Sequence, residues 1–206
     1  TYDEYLKDCS TRINDLTAKV ISYDSIRQYK SFKETLVRFV EFMQKENPEY
    51  KISFDKMNNI FYSEFRNWCL TEGKLSPNTF GGKIKRLKSF LFWCQDRDLN
   101  ISNRFHNFAM PQSYKRVIAL TGDEVVELWD KNLKEEQWKL DILLALISTG
   151  MRISDYNIVM TNMDQYIQAT KSGRALIFAA KKTGAHCIVP LANDSYFRVK
   201  YLYKKY

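Results

Sequence analysis

The sequence has no long apolar run and few of the residues that build metal sites or disulfide frameworks. Its longest apolar stretch, Ile142–Ile147, is far shorter than the ~18 residues that cross a bilayer, which excludes a transmembrane protein. The segment from Thr1 to Tyr5 is acidic and aromatic, unlike a signal peptide. Because the chain does not begin with Met, we expect a fragment of a longer protein.

Cysteine and histidine are both scarce. The four cysteines form no C-x-x-C pair and have no regular spacing: Cys9, Cys69, Cys94 and Cys187. A small secreted domain would carry a dense disulfide framework, so we expect reduced thiols and a bacterial cytoplasmic location, with no membrane partner. His106 and His186 join no ligand cluster. We therefore expect no metal site and no cofactor.

Basic residues exceed acidic ones, 32 to 24, which gives a net charge of +8 and weakly favours a polyanionic partner. The excess lies mostly between Lys74 and Arg116, where only Asp96 and Asp98 are acidic. The basic residues of this stretch are Lys74, Lys83, Lys85, Arg86, Lys88, Arg97, Arg104, Lys115 and Arg116.

The first half of the sequence has the three- and four-residue apolar spacing of amphipathic helices. We predict a short helix within residues 2–16 and three longer ones: from Asp24 or Ser25 to Asn47, from about Asp55 to Glu72, and from Ser76-Pro77 to about Gln95. Gly81-Gly82 lies near the start of the last helix and costs that helix stability.

Residues 98–118 lose the periodicity, which is typical of an interdomain linker. We predict a helical domain over residues 1–110, a linker over 111–118 and a second domain over 119–206. The predicted fold class is mainly α with a small β-sheet.

The second domain opens with a capping box at Thr121 and Glu124. Its predicted helices run from there to about Asn132, over Gln137–Thr149, over Ile153–Val159 and from Asn193 onward; its predicted strands are 164–169, 175–180 and 187–191. We expect the nearly all-apolar second helix to be buried on most sides. Lys182–Ala185 is predicted to be a hairpin turn.

Two basic residues of this domain could carry chemistry. Arg152 follows the helix-ending Gly150, and its fork of donors suits bidentate binding of a phosphate. The alternative is an ordinary surface pair with Asp155. Lys182, in the predicted turn, could donate a proton or hold a phosphate, or it could be a solvated lysine like Lys181 beside it.

Together these elements resemble the tyrosine site-specific recombinases, the integrases of phages and mobile elements, and above all those of conjugative transposons. The resemblance covers nearly the whole chain. Its motifs are the Tyr29–Phe39 helix, Phe54-Asp55, Thr79, Lys85, Leu87-Lys88, Phe90, Trp93, Leu120-Thr121 with Glu124, Thr149–Asp155, Lys182–Gly184 and Ile188–Leu191.

The resemblance implies a helical core-binding (SAM-like) domain and part of an α+β catalytic domain, closed as a C-shaped clamp on double-stranded DNA. It implies that Arg152 holds the scissile phosphate, that Asp155 orients this arginine, and that Lys182 protonates the leaving oxygen. Counting back from Pro190-Leu191 assigns this role to Lys182. A complete enzyme would act as a tetramer on paired DNA sites, and the fragment would be monomeric.

The sequence departs from the family pattern in one respect. Neither His106 nor His186 begins a His-x-x-Arg motif, and Tyr206 comes too early to be the nucleophile. We therefore expect a DNA-binding fragment of a site-specific recombinase that lacks the nucleophilic tyrosine and is inactive alone. The alternative is a non-enzymatic DNA-binding regulator or decoy derived from a truncated integrase.

The predicted DNA contacts lie on one helix and on the linker. With Ile84, Leu87 and Leu91 turned to the core, the basic side chains of the third long helix are left for phosphates. The predicted DNA-binding residues are Lys83, Lys85, Arg86, Lys88, Lys115 and Arg116.

Overall fold

The computed structural model describes residues 1–14, 18–114, 116–171, 173–191 and 193–205, and the side chains of 14, 19 and 193–198 are not among those described. Two of the residues discussed above, Lys115 and Tyr206, lie outside this part of the chain. The chain divides into two compact units, Thr1–Arg116 and Val117–Tyr206.

The first unit is helical. Its long elements are α1 (Tyr2–Thr11), α2 (Tyr23–Gln44), α3 (Asn59–Leu70) and α4 (Pro77–Gln95), with short 3-10 turns at Phe54–Lys56 and Asn103–Asn107. Two-residue strands, β1 (Ile13–Asn14) and β2 (Lys19–Val20), pair antiparallel between α1 and α2. The predicted fold class, mainly α with a small sheet, is confirmed.

Polar caps fix where these helices begin. Ser76 caps α4 by accepting a hydrogen bond from the Thr79 N–H, and Pro77 occupies the first turn, as predicted. The predicted start of α2 was wrong by two or three residues, because Ser22 is the cap. The predicted helix 55–72 is also shorter, since Phe54–Lys56 forms a separate turn and Asn58 caps α3.

Aromatic and aliphatic side chains from all four helices form the core of the first unit. Phe32, Phe39 and Phe65 are fully buried, as are Ile84 and Leu91 on the inward stripe of α4. Protein interiors are closely packed and contain few voids, so these residues fix the orientation of α4 and the direction of its outward, basic side chains.

The second unit combines helices with a three-stranded sheet. Its helices are α5 (Gly122–Asp130), α6 (Gln137–Thr149), α7 (Ile153–Val159) and α8 (Asn193–Lys205). The strands are β3 (Ile167–Thr170), β4 (Gly173–Ala179) and β5 (His186–Leu191), which form an antiparallel sheet in the order β3-β4-β5. The capping box at Thr121 and Glu124 is present, as predicted.

The expected burial of α6 on most sides was wrong. Only one face, which includes Leu140 and Leu144, is buried, while Leu143 and Ile147 are 42% and 36% exposed. An apolar cleft of about 620 Å³ lies between α6, α7 and α8; it is lined by Trp138, Ile142, Tyr156, Asn157, Met160, Thr161, Leu202 and Tyr203. The apolar composition of a helix predicts the burial of a helix face only where a neighbouring element is present to cover that face.

None of the described helices is by itself long and apolar enough to cross a membrane. Lys134–Thr149 and Ile153–Val159 reach that length and hydropathy only as a pair, across a bend of 96°.

Candidate functional site

A cleft lined by basic and polar side chains, hereafter the basic cleft, separates α2 from α4 in the first unit. It encloses about 320 Å³ and is lined by Arg27, Gln28, Ser31, Thr79, Gly82, Lys83 and Arg86. A smaller hollow beside it is lined by Ser25, Tyr29, Lys85, Arg86 and Ser89. Because Arg86 lines both, the cationic surface is continuous along one side of α4. Hydroxyl, amide and guanidinium groups in such an arrangement are typical donors to phosphate oxygens.

Two of the predicted DNA-binding lysines also form internal hydrogen bonds. The Lys83 ammonium donates to the backbone carbonyl and the hydroxyl of Ser31, each at 3.0 Å, which joins α4 to α2. The Lys88 ammonium donates to the His106 carbonyl at 2.7 Å and joins α4 to the 3-10 turn. Partial burial lowers the pKa of both lysines. Both cations therefore help to hold the fold together.

The other predicted DNA-binding residues are more open to solvent. Lys85 and Arg116 are exposed, and Arg86 is half-buried with one nitrogen donating to the Gly82 carbonyl of its own helix at 3.1 Å. Since a guanidinium carries five N–H donors, Arg86 keeps others for a ligand.

Arg152 occupies a fixed position in the second unit. Gly150 ends α6 in the left-handed conformation, with φ of 64°, and Arg152 is the cap residue of α7. The Arg152 carbonyl accepts hydrogen bonds from the Asp155 and Tyr156 N–H groups, both at 2.9 Å. The backbone is thus held by α7 while 57% of the side chain remains exposed. An exposed guanidinium on a fixed backbone is suited to bind an anionic group from solution.

The Asp155 carboxylate lies between Arg152 and the β4–β5 turn. Its side chain is only 2% exposed. One oxygen, Oδ2, is 3.9 Å from Nη1 of Arg152, and the other accepts a hydrogen bond from the Lys181 N–H at 2.9 Å. A single buried carboxylate therefore contacts both the arginine and the backbone of the lysine-bearing turn.

The turn itself is compact. The Ala180 carbonyl accepts hydrogen bonds from Thr183 and Gly184, and the Ala180 N–H donates to the Ala185 carbonyl at 2.8 Å. Gly184 has φ of 71°, a conformation that favours glycine. The side chains of Lys181 and Lys182 are both exposed. The structure thus brings Arg152, Asp155 and the turn together, and it leaves both ammonium groups in solvent.

A family profile described as the phage integrase SAM-like domain matches residues 3–108, just over half of the chain. The chain belongs to the phage integrase, or tyrosine recombinase, family. Curated relatives include the tyrosine recombinase XerC of Staphylococcus aureus strain COL, which is 27% identical over 185 residues. The same-named protein of strain MRSA252 is 26% identical over 185 residues.

The alignment with each of these recombinases covers 86% of this chain and 60% of the relative. The chain therefore spans about three fifths of the length of the curated relatives that it matches. No solved structure gives a significant match.

The residues that α2 of this integrase-family chain contributes to the basic cleft were not predicted from the sequence. Arg27, Gln28 and Ser31 lie three and four residues apart on one face of α2, and Thr79 faces them from α4. Their spacing indicates a shared polar face. Only the packing of α2 against α4 shows that this face meets the basic one.

The integrase chain offers no evident metal ligands in its described part. Within those residues, no three His, Cys, Asp or Glu side chains come together as a group that could hold a metal ion.

Proposed function

We propose that this chain supplies the duplex-binding domain and the phosphate-holding part of the active site of a site-specific DNA recombinase. In the proposed reaction, the Arg152 guanidinium donates two hydrogen bonds to the scissile phosphate and stabilises its charge in the transition state. Lys182 donates the proton to the leaving oxygen. The nucleophilic tyrosine comes from sequence outside these residues.

The observation that carries this proposal is the position of Asp155. Its carboxylate is buried, lies 3.9 Å from the Arg152 guanidinium and accepts the Lys181 N–H at 2.9 Å. A surface pair of the ordinary kind would leave both partners exposed and would not involve the turn. We infer that Asp155 is a positioning residue, which orients Arg152 and keeps the lysine-bearing turn next to it.

The basic cleft supports the DNA-binding half of the proposal. Arg27, Lys85 and Arg86 are the proposed main phosphate contacts, because they retain free donors at the surface. Lys83 adds charge to the cleft wall while bonded to Ser31. Contacts by Lys88, Lys115 and Arg116 remain predictions.

The purified chain should bind double-stranded DNA with an affinity that falls steeply with salt, because bound cations displace condensed counterions. It should form no covalent adduct with a nicked suicide substrate, because the sequence holds no His-x-x-Arg motif, the part of the family pattern that accompanies the nucleophilic tyrosine. Fluorescence anisotropy at several salt concentrations and a denaturing gel would measure the two properties. Absence of binding at low salt would refute the duplex-binding role, and a covalent adduct would refute the assignment of the nucleophile.

The two turn lysines should differ in their effect on cleavage. In the full-length recombinase, Lys182→Ala should slow strand cleavage by about 10²- to 10⁴-fold, the usual contribution of a positioned general acid. Lys181→Ala should have a smaller effect, because its backbone N–H, which survives the substitution, makes the bond to Asp155. Single-turnover cleavage rates would test this, and the reverse ranking would assign the proton transfer to Lys181.

A further inference from the structure

The polypeptide that leaves the helical unit is docked onto α3 and α4 for several residues after the last 3-10 turn. Phe108 is 2% exposed and packs against the Tyr62 ring, with centroids 5.1 Å apart. The Tyr62 hydroxyl donates to the Ala109 carbonyl at 3.1 Å. Residues 109–113, hereafter the strap, therefore start from a firmly anchored point.

Asn78, in the first turn of α4, binds the far end of the strap. Its amide nitrogen donates to the Ser113 carbonyl at 2.9 Å, and its amide oxygen accepts the Ser113 N–H. The Ser113 hydroxyl donates to the same oxygen at 3.3 Å. A side-chain amide that pairs with both backbone groups of one residue imitates a β-ladder and fixes that residue in place.

Gly81 provides the room for this docking. A Cβ atom built on Gly81 would lie 2.3 Å from the Pro111 carbonyl oxygen, a distance that no carbon and oxygen tolerate without a shift of backbone. A Cβ on the adjacent Gly82 would meet only the Arg86 Nη1, at 3.8 Å. Glycine costs a helix interior roughly 1 kcal/mol relative to alanine. The contact with the strap therefore accounts for the glycine at position 81 and not for the one at position 82.

The chain is open to solvent directly after Ser113. Tyr114, Val117 and Ile118 are 96%, 85% and 92% exposed, and the next helix cap is Thr121. We propose that Asn78 and Gly81 form a clasp that holds the strap on α4, so that the free chain leading to the second unit begins after Ser113.

The clasp sets the length of free chain between the strap and α5. The seven residues between Ser113 and Thr121 span at most about 25 Å when fully extended. If the strap were released as far as Phe108, the free chain could span about 40 Å. Asn78 and Gly81 lie on either side of Thr79, which lines the basic cleft. One end of α4 therefore carries both a wall of the cleft and the clasp.

Hydrogen exchange of the purified chain tests the clasp. In Gly81→Ala, the Ser113 amide, which donates to Asn78, should exchange at least about tenfold faster than in the parent, the factor that one net hydrogen bond provides. Gly82→Ala gains the same helix propensity without the collision, so its Ser113 amide should exchange at the parental rate. Equal exchange of the Ser113 amide in the two alanine variants would overturn the proposal.

A second pair of variants tests the amide contact itself. Asn78→Ala should raise exchange of the Ser113 amide by a similar factor, whereas Asn67→Ala, at an exposed asparagine of α3, should not. Peptides from the core of α2 should keep their parental rates in all four variants, which separates release of the strap from general unfolding. Parental protection of Ser113 in Asn78→Ala would contradict a clasp.

Discussion

Replacing Arg152 with alanine should reduce DNA cleavage by the full-length recombinase by about 10³-fold or more, the effect of losing an arginine that stabilises a transferring phosphoryl group. The change should leave folding nearly intact, because α7 is held through the Arg152 backbone carbonyl and 57% of the side chain is exposed. Duplex affinity should also change little. Single-turnover cleavage and anisotropy with the same DNA would measure both effects.

Two variants provide controls for this experiment. Arg152→Lys keeps the charge but loses the planar fork, so its cleavage rate should lie between those of the parent and the alanine variant. Arg174→Ala removes an arginine from β4 of the same unit and should cleave at nearly the parental rate. Parental cleavage by Arg152→Ala would refute the proposed role in phosphate binding.

Removing three cations of the basic cleft, as Arg27→Ala, Lys85→Ala and Arg86→Ala combined, should weaken duplex binding on the order of 100-fold at low salt. The slope of log affinity against log salt should decrease by about 2.7, since each lost phosphate contact contributes about 0.9. Lys83 is left in place because its bond to Ser31 joins two helices. Salt titrations followed by anisotropy would measure affinity and slope together.

A matched triple variant separates position from net charge. Lys51→Ala, Lys56→Ala and Arg66→Ala remove three exposed cations of the same unit that do not line the basic cleft. Both triple variants lower the net charge from +8 by three units, to +5. If the two weakened DNA binding equally, the cleft would have no special role and binding would depend on overall charge.

The elements predicted most accurately depend on contacts within one helical turn. Ser76 and Pro77 predicted the start of α4, and the Thr121–Glu124 capping box predicted the start of α5. The start of α3 was predicted less well, because apolar periodicity continues across Phe54–Lys56 although the backbone forms a separate turn there. Periodicity shows which residues face inward and does not locate helix boundaries closely.

The site residues show a similar division. The Thr149–Asp155 motif and the turn lysines were identified from the sequence, and the Arg152–Asp155 spacing of three residues indicated a local pair. The bond from the Lys181 N–H to Asp155 joins residues 26 apart, and the one from Lys83 to Ser31 joins residues 52 apart. Nothing in the local sequence predicts either bond, since both depend on how separate elements pack.

The sequence by itself determined the order of the long helices and of the three strands of the second unit, the caps of α4 and α5, and the surplus of basic residues on α4. These features follow from interactions between neighbours along the chain. Only the tertiary structure decided which of those cations face a cleft and which are tied to carbonyl groups, and that Gly81 and Asn78 hold the strap. A side chain's partners across the fold depend on the burial and approach of distant segments, which the packing of the whole unit sets.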